Sequence, residues 1–183
     1  KGHAGPAMYA ALALRGYFDE KELLTLNRPG TILPSHTDRN KTPGVDMTTG
    51  SLGQGFSTGL RIAMACKLQK LDNTVYILLG DGECDEGQVW EWAMFAPAKK
   101  LTNVITFVDA NKLQLDGTTD EVCALGDLQK KFTDFGWQAI DVADGNDVEQ
   151  ILAAIDEAKA DRERPSMIIL NTVKGKGWKY AET

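Results

Sequence analysis

The sequence predicts an α/β protein: a doubly wound, mostly parallel sheet with helices on both faces. Three observations carry this. Thr74 to Leu79 (TVYILL), Asn103 to Val108 (NVITFV) and Ser166 to Val173 (SMIILNTV) are apolar runs of strand length that do not alternate with polar residues. Strands buried on both faces read this way, and they belong to parallel sheets. Helical segments stand between the strand runs, which is the alternation that builds such a sheet.

The elements follow in order. Gly5 to Gly16 (GPAMYAALALRG) is rich in Ala and Leu and predicts a helix ended by Gly. Asp19 to Asn27 predicts a short amphipathic helix capped by Asp19. Arg28 to Gly50 holds three of the six prolines and reads as an ordered loop. A loop of that length in a compact domain is usually functional or disordered. Leu52 to Leu71 turns helical after a Gly-rich start, and the first strand, Thr74 to Leu79, follows. Asp85 to Lys100 has helical spacing and leads to the strand Asn103 to Val108. Asp127 to Phe135 reads as a helix and Trp137 to Val142 as a strand. Asn146 to Arg162 is a strong helix with Ile151, Leu152 and Ile155 on one face, before the last strand run.

The 183 residues are 43% hydrophobic and 25% charged, enough for one domain with a core of its own. A net charge of −6 argues against a nucleic-acid binder, which needs basic patches. No apolar run reaches the roughly 18 residues that span a bilayer. Cys66, Cys84 and Cys123 are odd in number and form no CxxC pair, which disfavours a disulfide framework or a zinc site and suits a reducing, cytoplasmic setting. With only His3 and His36, a His-rich metal site is out. Lys1 enters a Gly-rich stretch at once, and the chain stops soon after another. The expectation is a single domain, 1–183, truncated at both ends.

Ligands of such sheets bind at the carboxyl ends of the strands. The first strand runs into Gly80-Asp81-Gly82, where glycines on both sides of a carboxylate allow a sharp turn and close approach to a ligand. The second ends Val108-Asp109-Ala110-Asn111. If the two strands are neighbours, Asp81 and Asn111 offer two hard oxygen ligands, and a main-chain carbonyl of the next turn can add a third. That set suits Mg²⁺. Taken alone, Gly-Asp-Gly is more often a plain strand-to-helix turn. Histidines beside Gly and Pro are by default surface residues, and Glu86 alone is a first-turn carboxylate complementing a helix dipole. Trp90 and Trp92 read as packing, and Lys174 and Lys176 as a solvated basic turn.

Gly80-Asp81-Gly82, then 28 residues, then Asn111 resembles the thiamine diphosphate motif. Lys1-Gly2-His3-Ala4, Lys41 to Val45 (KTPGV), Thr48 to Gly55 (TTGSLGQG), Gly80 to Gly87 (GDGECDEG), Leu115-Asp116-Gly117 and Thr172 to Gly177 (TVKGKG) occur in order. Together they closely resemble the diphosphate-binding domain of the transketolase family in its split, two-subunit form, over essentially the whole chain. The resemblance implies a thiamine diphosphate-binding fold and transfer of a two-carbon ketol unit from a ketose phosphate to an aldose phosphate.

It also implies roles at matching positions. Asp81 and Asn111 bind Mg²⁺ (or Ca²⁺) through their side chains and Leu113 through its carbonyl. Gly82 and Asn111 touch the diphosphate. His3 faces the diphosphate and the donor sugar. Gly50, Ser51 and Leu52 line the aminopyrimidine and thiazolium region, and His36 contacts the donor's hydroxyl and carbonyl end. Glu86, with Glu91, belongs to a carboxylate network at the subunit interface. Ala110 stands where relatives often carry a polar residue.

The implied partner is a C-terminal transketolase subunit with the pyrimidine-binding domain, in a dimer of such units, and the chain alone is expected to be inactive. A leading segment with another substrate-contacting His is expected before Lys1, and a further His after Thr183. The competing readings are another thiamine diphosphate enzyme, of the 2-oxoacid dehydrogenase alpha or deoxyxylulose phosphate synthase type, and a non-catalytic scaffold with the same fold. TTGSLGQG and GDGECDEG speak against the first, and intact Asp81, Asn111 and His3 against the second. A dinucleotide-binding oxidoreductase is weaker still, because the Gly-rich stretch 50–55 follows a loop and not a strand.

Overall fold

The computed structural model describes residues 1–182, which group into two compact units, with the boundary after Gly55.

The first unit opens with a 3-10 turn at Gly2–Ala4 and continues as α1 (Gly5–Leu14), with Pro6 in its first turn and Gly16 beyond its end at φ +79°. Pro is tolerated there because that N–H has no intrahelical partner, and Gly takes the left-handed conformation that ends a helix. The segment that reads as a short α-helix is instead a 3-10 helix, Glu20–Thr25. Asp19 does cap it, accepting from the N–H of Lys21 at 2.9 Å. Asn27 follows at φ +60° and donates its N–H back to the Leu33 carbonyl, so the chain turns before an α-helix can extend.

From residue 28 to 50 the chain has no regular secondary structure but is firmly tied. Tyr9 Oη donates to the Pro34 carbonyl at 2.7 Å, and Thr42 Oγ1 to the Ile32 carbonyl at 2.5 Å. The Thr49 N–H donates to the Thr37 carbonyl at 2.9 Å, and the two threonine hydroxyls meet at 2.7 Å. Leu33, Val45, Tyr9 and Leu12 are buried. The long loop is ordered because its polar groups are satisfied and its few apolar side chains have a core to enter.

The second unit holds the sheet. α2 (Gln54–Leu68) leads to β1 (Val75–Gly80), a 3-10 turn at Gly82–Asp85 and α3 (Gly87–Ala98). Then come β2 (Val104–Asp109), a hairpin of β3 (Leu113–Gln114) and β4 (Gly117–Thr118), and the short α4 (Thr119–Cys123). α5 (Leu128–Asp134), β5 (Gln138–Val142), α6 (Val148–Ala160) and β6 (Ser166–Leu170) complete it. The four long strands form one parallel sheet in the order β1-β2-β6-β5. The hairpin and α4 have no counterpart among the predicted elements. Two residues per strand carry no periodicity, and α4 is announced only by its capping box, Thr118 with Glu121.

Side chains from alternate strand positions enter two cores. One face (Ile77, Leu79, Val104, Val108, Met167, Ile169) packs under α2, α3 and α5, with Phe56, Leu60, Val89, Ala93 and Phe132 fully buried. The other (Ile105, Ile140, Val142, Ile168, Leu170) packs under α6 through Ala154 and Ala158. The sheet is parallel, and β2, β6 and β5 are covered on both faces. β1 is an edge strand whose second face stays open, with Tyr76 51% exposed and Leu78 half-buried, which its apolar run does not reveal. The register pairs Gly80 with Asp109 and Asp109 with Leu170, so three strands end level and open one edge to the turns that follow. β6 stops at Leu170, short of the predicted Val173. Asn171 leaves the ladder to donate to Asp141 and the Val142 carbonyl, and the Thr172 hydroxyl donates to Asp109.

Candidate functional site

At the level strand ends, the N–H of Asp81 donates to the Asp109 carbonyl at 3.1 Å, which extends the β1–β2 pairing by one step. This sets the Gly80-Asp81-Gly82 turn beside the turn at residues 110–113. Asp81 is buried, and its carboxylate faces main-chain donors: Oδ1 accepts from the Gly82 N–H at 2.8 Å, Oδ2 from the Lys112 N–H at 2.5 Å. Asn111 Oδ1 accepts from the Leu113 N–H at 3.0 Å. Lys112 sits at φ +63°, a left-handed conformation that costs energy for a side chain other than Gly, Asn or Asp. The structure thus brings Asp81, Gly82, Asn111 and Leu113 into one place within the second unit.

A side chain at Gly82 would crowd Gln114. Its Cβ would lie 3.0 Å from Gln114 Cβ and 3.1 Å from Gln114 Oε1. The neighbourhood is acidic and partly enclosed. Glu83 is buried and accepts from the Gly80 N–H at 3.1 Å, and Cys84 Sγ donates to the Gly80 carbonyl at 3.4 Å. Among the described residues no group of three or more His, Cys, Asp and Glu can hold a metal. The donors at this turn are of another kind: one carboxylate, one amide oxygen and main-chain carbonyls. They are hard oxygen donors and few, which fits a small divalent cation that keeps waters and ligand phosphate oxygens in its shell.

A second group stands in the first unit. The rings of His3 and His36 meet edge to face, with centroids 5.2 Å apart and planes at 76°. Gly2 lies beneath them: a Cβ on it would run into the His36 ring and lie 2.8 Å from the Gly50 nitrogen. Gly50 itself is at φ +128° and touches the same ring. His3, His36 and Gly50 are therefore neighbours. Ser51 and Leu52 follow directly, both exposed. An open depression of about 910 Å³ passes His36, lined also by Asn27, Arg28, Ser35 and Lys41.

Glu86 is exposed at the N-cap of α3 and makes no side-chain cap hydrogen bond, and Glu91 is exposed on the same helix. Trp90 stacks on Phe132 at 5.3 Å, and Trp92 meets Phe95 edge-on at 4.8 Å, so both tryptophans pack, as their sequence surroundings suggest. Three further residues belong to these groups without being marked as site residues by the sequence. Gly2 stands in a motif, and the structure makes it the floor under His36. Asp85 lies within GDGECDEG and Gln114 between the singled-out positions Leu113 and Leu115, and they are bonded to each other beside the Asn111–Leu113 turn, Nε2 to Oδ2 at 3.2 Å. Gln114 directly follows Leu113, and that adjacency is the available signal.

The family model for the transketolase thiamine diphosphate binding domain matches residues 1–183. A 6-deoxy-6-sulfo-D-fructose transketolase subunit of Clostridium sp. (strain MSTE9) is 53% identical, with 100% of this chain matching 66% of that protein. An apulose-4-phosphate transketolase subunit of Phocaeicola vulgatus is 37% identical, with 100% of this chain matching 64% of it. The chain thus spans just under two thirds of these curated relatives. Among solved structures, transketolase from Pichia stipitis superposes with a TM-score of 0.88 at 35% identity, over 96% of this chain and 28% of that one. Transketolase from Campylobacter jejuni gives 0.88 at 30% identity, with the same coverage. The buried Asp81 beside Asn111 at neighbouring strand ends and the match along the whole length agree: the chain belongs to the transketolase family, as its thiamine diphosphate binding domain.

Proposed function

We propose that this chain is the diphosphate-binding part of a split transketolase. With a C-terminal partner subunit that carries the pyrimidine-binding domain, in a dimer of such units, it transfers a two-carbon ketol unit from a ketose phosphate to an aldose phosphate. The observation that carries this reading is the pairing of Asp81 with the Asn111–Leu113 turn through the Lys112 N–H. A carboxylate held beside the Asn111 amide oxygen and the carbonyls of the same turn supports a cation site at this place.

Asp81 and Asn111 hold Mg²⁺ (or Ca²⁺) by their side chains and Leu113 by its carbonyl. Gly82 and Asn111 approach the diphosphate, where the absence of a side chain on Gly82 leaves room. When bound, thiamine diphosphate supplies the nucleophilic carbon that takes up the two-carbon unit. His3 hydrogen-bonds to the diphosphate and the donor sugar, and His36 to the donor's hydroxyl and carbonyl end; an imidazole can donate there or carry a proton. Gly50, Ser51 and Leu52 face the ring portions of the cofactor. Glu86 and Glu91, exposed on α3, serve a carboxylate network with the neighbouring subunit. Cys66, Cys84 and Cys123 are thiols and not disulfides, which suits a cytoplasmic enzyme.

The 53% relative is named for a sulfo sugar and the 37% relative for a sugar phosphate. The higher identity favours a second donor reading, a ketose whose far end carries a sulfonate. The depression past His36 is lined by hydroxyls, amides and the cations Arg28 and Lys41, a lining that suits a polyhydroxylated anion of either kind. The test is calorimetric titration of thiamine diphosphate with and without Mg²⁺, into the parent and into Asp81→Ala, with the partner subunit present, followed by ketol-transfer assays on phosphate and sulfonate donors. Mg²⁺-dependent binding that Asp81→Ala abolishes is expected, with turnover only when both subunits are mixed. Cofactor binding that ignores Mg²⁺ and Asp81, or full turnover by this chain alone, overturns the reading.

A further inference from the structure

The hairpin that begins at Leu113 has little to hold it in place. β3 and β4 pair over two residues each, and Leu115, at its tip, is 97% exposed. A two-stranded ribbon of this size is not stable by itself. Its position therefore depends on ties to its surroundings, and two of them flank Leu113. On one side the Lys112 N–H donates to Asp81 Oδ2. On the other, Gln114 Nε2 donates to Asp85 Oδ2 at 3.2 Å, across 29 residues of sequence.

The second tie has two unusual features. Asp85 is half-buried, and its Oδ1 is enclosed with no hydrogen-bond partner among the described residues. Such burial is costly and persists only where the surrounding structure imposes it. In addition, Gln114 occupies the space that a side chain on Gly82 would need, 3.0 Å from where its Cβ would stand. The 81–85 turn and the start of the hairpin are thus fitted to each other by contact and by bond.

We propose that Asp85 and Gln114 form a positioning latch that holds the Asn111–Leu113 turn in register with Asp81, and so sets the affinity for the divalent cation. The inference rests on the proposed metal role of Asp81, Asn111 and Leu113. Neither latch residue needs to touch the cation. Their effect is preorganisation: ligands already in place bind without the cost of ordering a loop. Residues that support metal ligands in this way typically change metal affinity by about 10- to 100-fold when removed.

The test uses the full-length protein together with its partner, in parent form and as Asp85→Ala, Gln114→Ala, the double variant and Asp85→Asn. Mg²⁺ is titrated at saturating thiamine diphosphate, and hydrogen exchange of the amides of residues 112–118 is followed without metal. Each Ala variant is expected to raise the Mg²⁺ concentration for half-saturation about 10-fold or more, with the double variant no worse than the single ones. Exchange at 112–118 should quicken in all three. Asp85→Asn keeps an oxygen for the Gln114 amide, and is expected to stay near the parent in both readouts. An unchanged Mg²⁺ requirement in the Ala variants, additive losses in the double variant, or an Asn variant as weak as Ala overturns the latch. A parent that shows no Mg²⁺ dependence at all overturns the metal reading instead, and with it the purpose given to the latch.

Discussion

The carboxylate of Asp81 and the main-chain N–H of Lys112, 31 residues apart in sequence, meet at 2.5 Å. This bond holds Lys112 in its left-handed conformation and fixes the turn between Asn111 and Leu113. Asp81 also accepts from Gly82, so its side chain organises two turns at once.

Replacing Asp81 by Ala should therefore cost stability as well as binding. Two main-chain donors lose their acceptor in a partly buried place, which costs about 1–3 kcal/mol for each group left unsatisfied. Asp81→Asn keeps one acceptor oxygen but turns an NH2 toward the other main-chain donor. It should recover only part of the stability that Ala loses, while losing most of the cation affinity because the charge is gone. Thermal unfolding without metal, set beside calorimetry with Mg²⁺, separates the two effects. An Ala variant as stable as the parent would show that the Asp81–Lys112 bond does not support the turn.

Gly2 makes an equivalent prediction in the first unit. Its Cβ would collide with the His36 ring and with the Gly50 backbone. The Gly50 backbone cannot yield easily, since Gly50 sits at φ +128° and the preceding residue, Thr49, is tied to Thr37, so the His36 ring is what must move. Gly2→Ala should push His36 off the edge of His3, which shifts the His36 ring resonances, and should lower kcat more than cofactor affinity. Unmoved His36 resonances in Gly2→Ala would contradict the packing described.

Most of the sheet is legible in the sequence because its signal is long and simple. Runs such as Val104 to Val108 and Met167 to Leu170, in which apolar residues do not alternate with polar ones, read as strands buried on both faces, and the strand ends then point to the candidate site. Asp81, Asn111 and Leu113 are legible by spacing and motif, and His3 and His36 only through the motifs around them. What stays hidden depends on contacts between distant residues. No local pattern announces that Gln114 reaches Asp85, or that a hairpin of four paired residues stands there. The 3-10 helix at 20–25 reads as α-helix because its composition is right; the turn at Asn27 that shortens it is made by a bond to Leu33.

α4 offers a test in acid. The Glu121 carboxylate accepts from the Thr118 hydroxyl at 2.8 Å and from its N–H at 3.1 Å. The hydroxyl bond first, then the N–H bond, hold its pKa below the ordinary 4.5. A depressed carboxylate pKa stabilises the folded helix start above the unfolded value, and that stability is lost as pH falls through the lowered one. The side chain is fully exposed, so global unfolding should hardly register the loss. The Thr118 amide resonance should titrate with a midpoint below 4.5. A midpoint at or above that value would mean that the capping box is not formed in solution.

Thr106 supplies the last prediction. It stands in the middle of β2, in register with Ile77 and Met167, and is 0% exposed. Its neighbours two positions away, Val104 and Val108, belong to the core under α2, α3 and α5. Its Oγ1 is buried without a hydrogen-bond partner among the described residues. A hydroxyl in that position has given up its water and gained nothing in return, a loss of about 1–3 kcal/mol. Valine has nearly the same shape, favours strands, and carries no polar atom. Thr106→Val should therefore raise the melting temperature, by about 2–4 °C for each kcal/mol recovered in a chain of this size. Thr106→Ser keeps the hydroxyl, loses the methyl and should melt below the parent. The pair of variants matters because a change in packing alone would move both in the same direction. If Thr106→Val melts below the parent, the hydroxyl has a partner in solution, and an ordered water in the core is the first place to look for it.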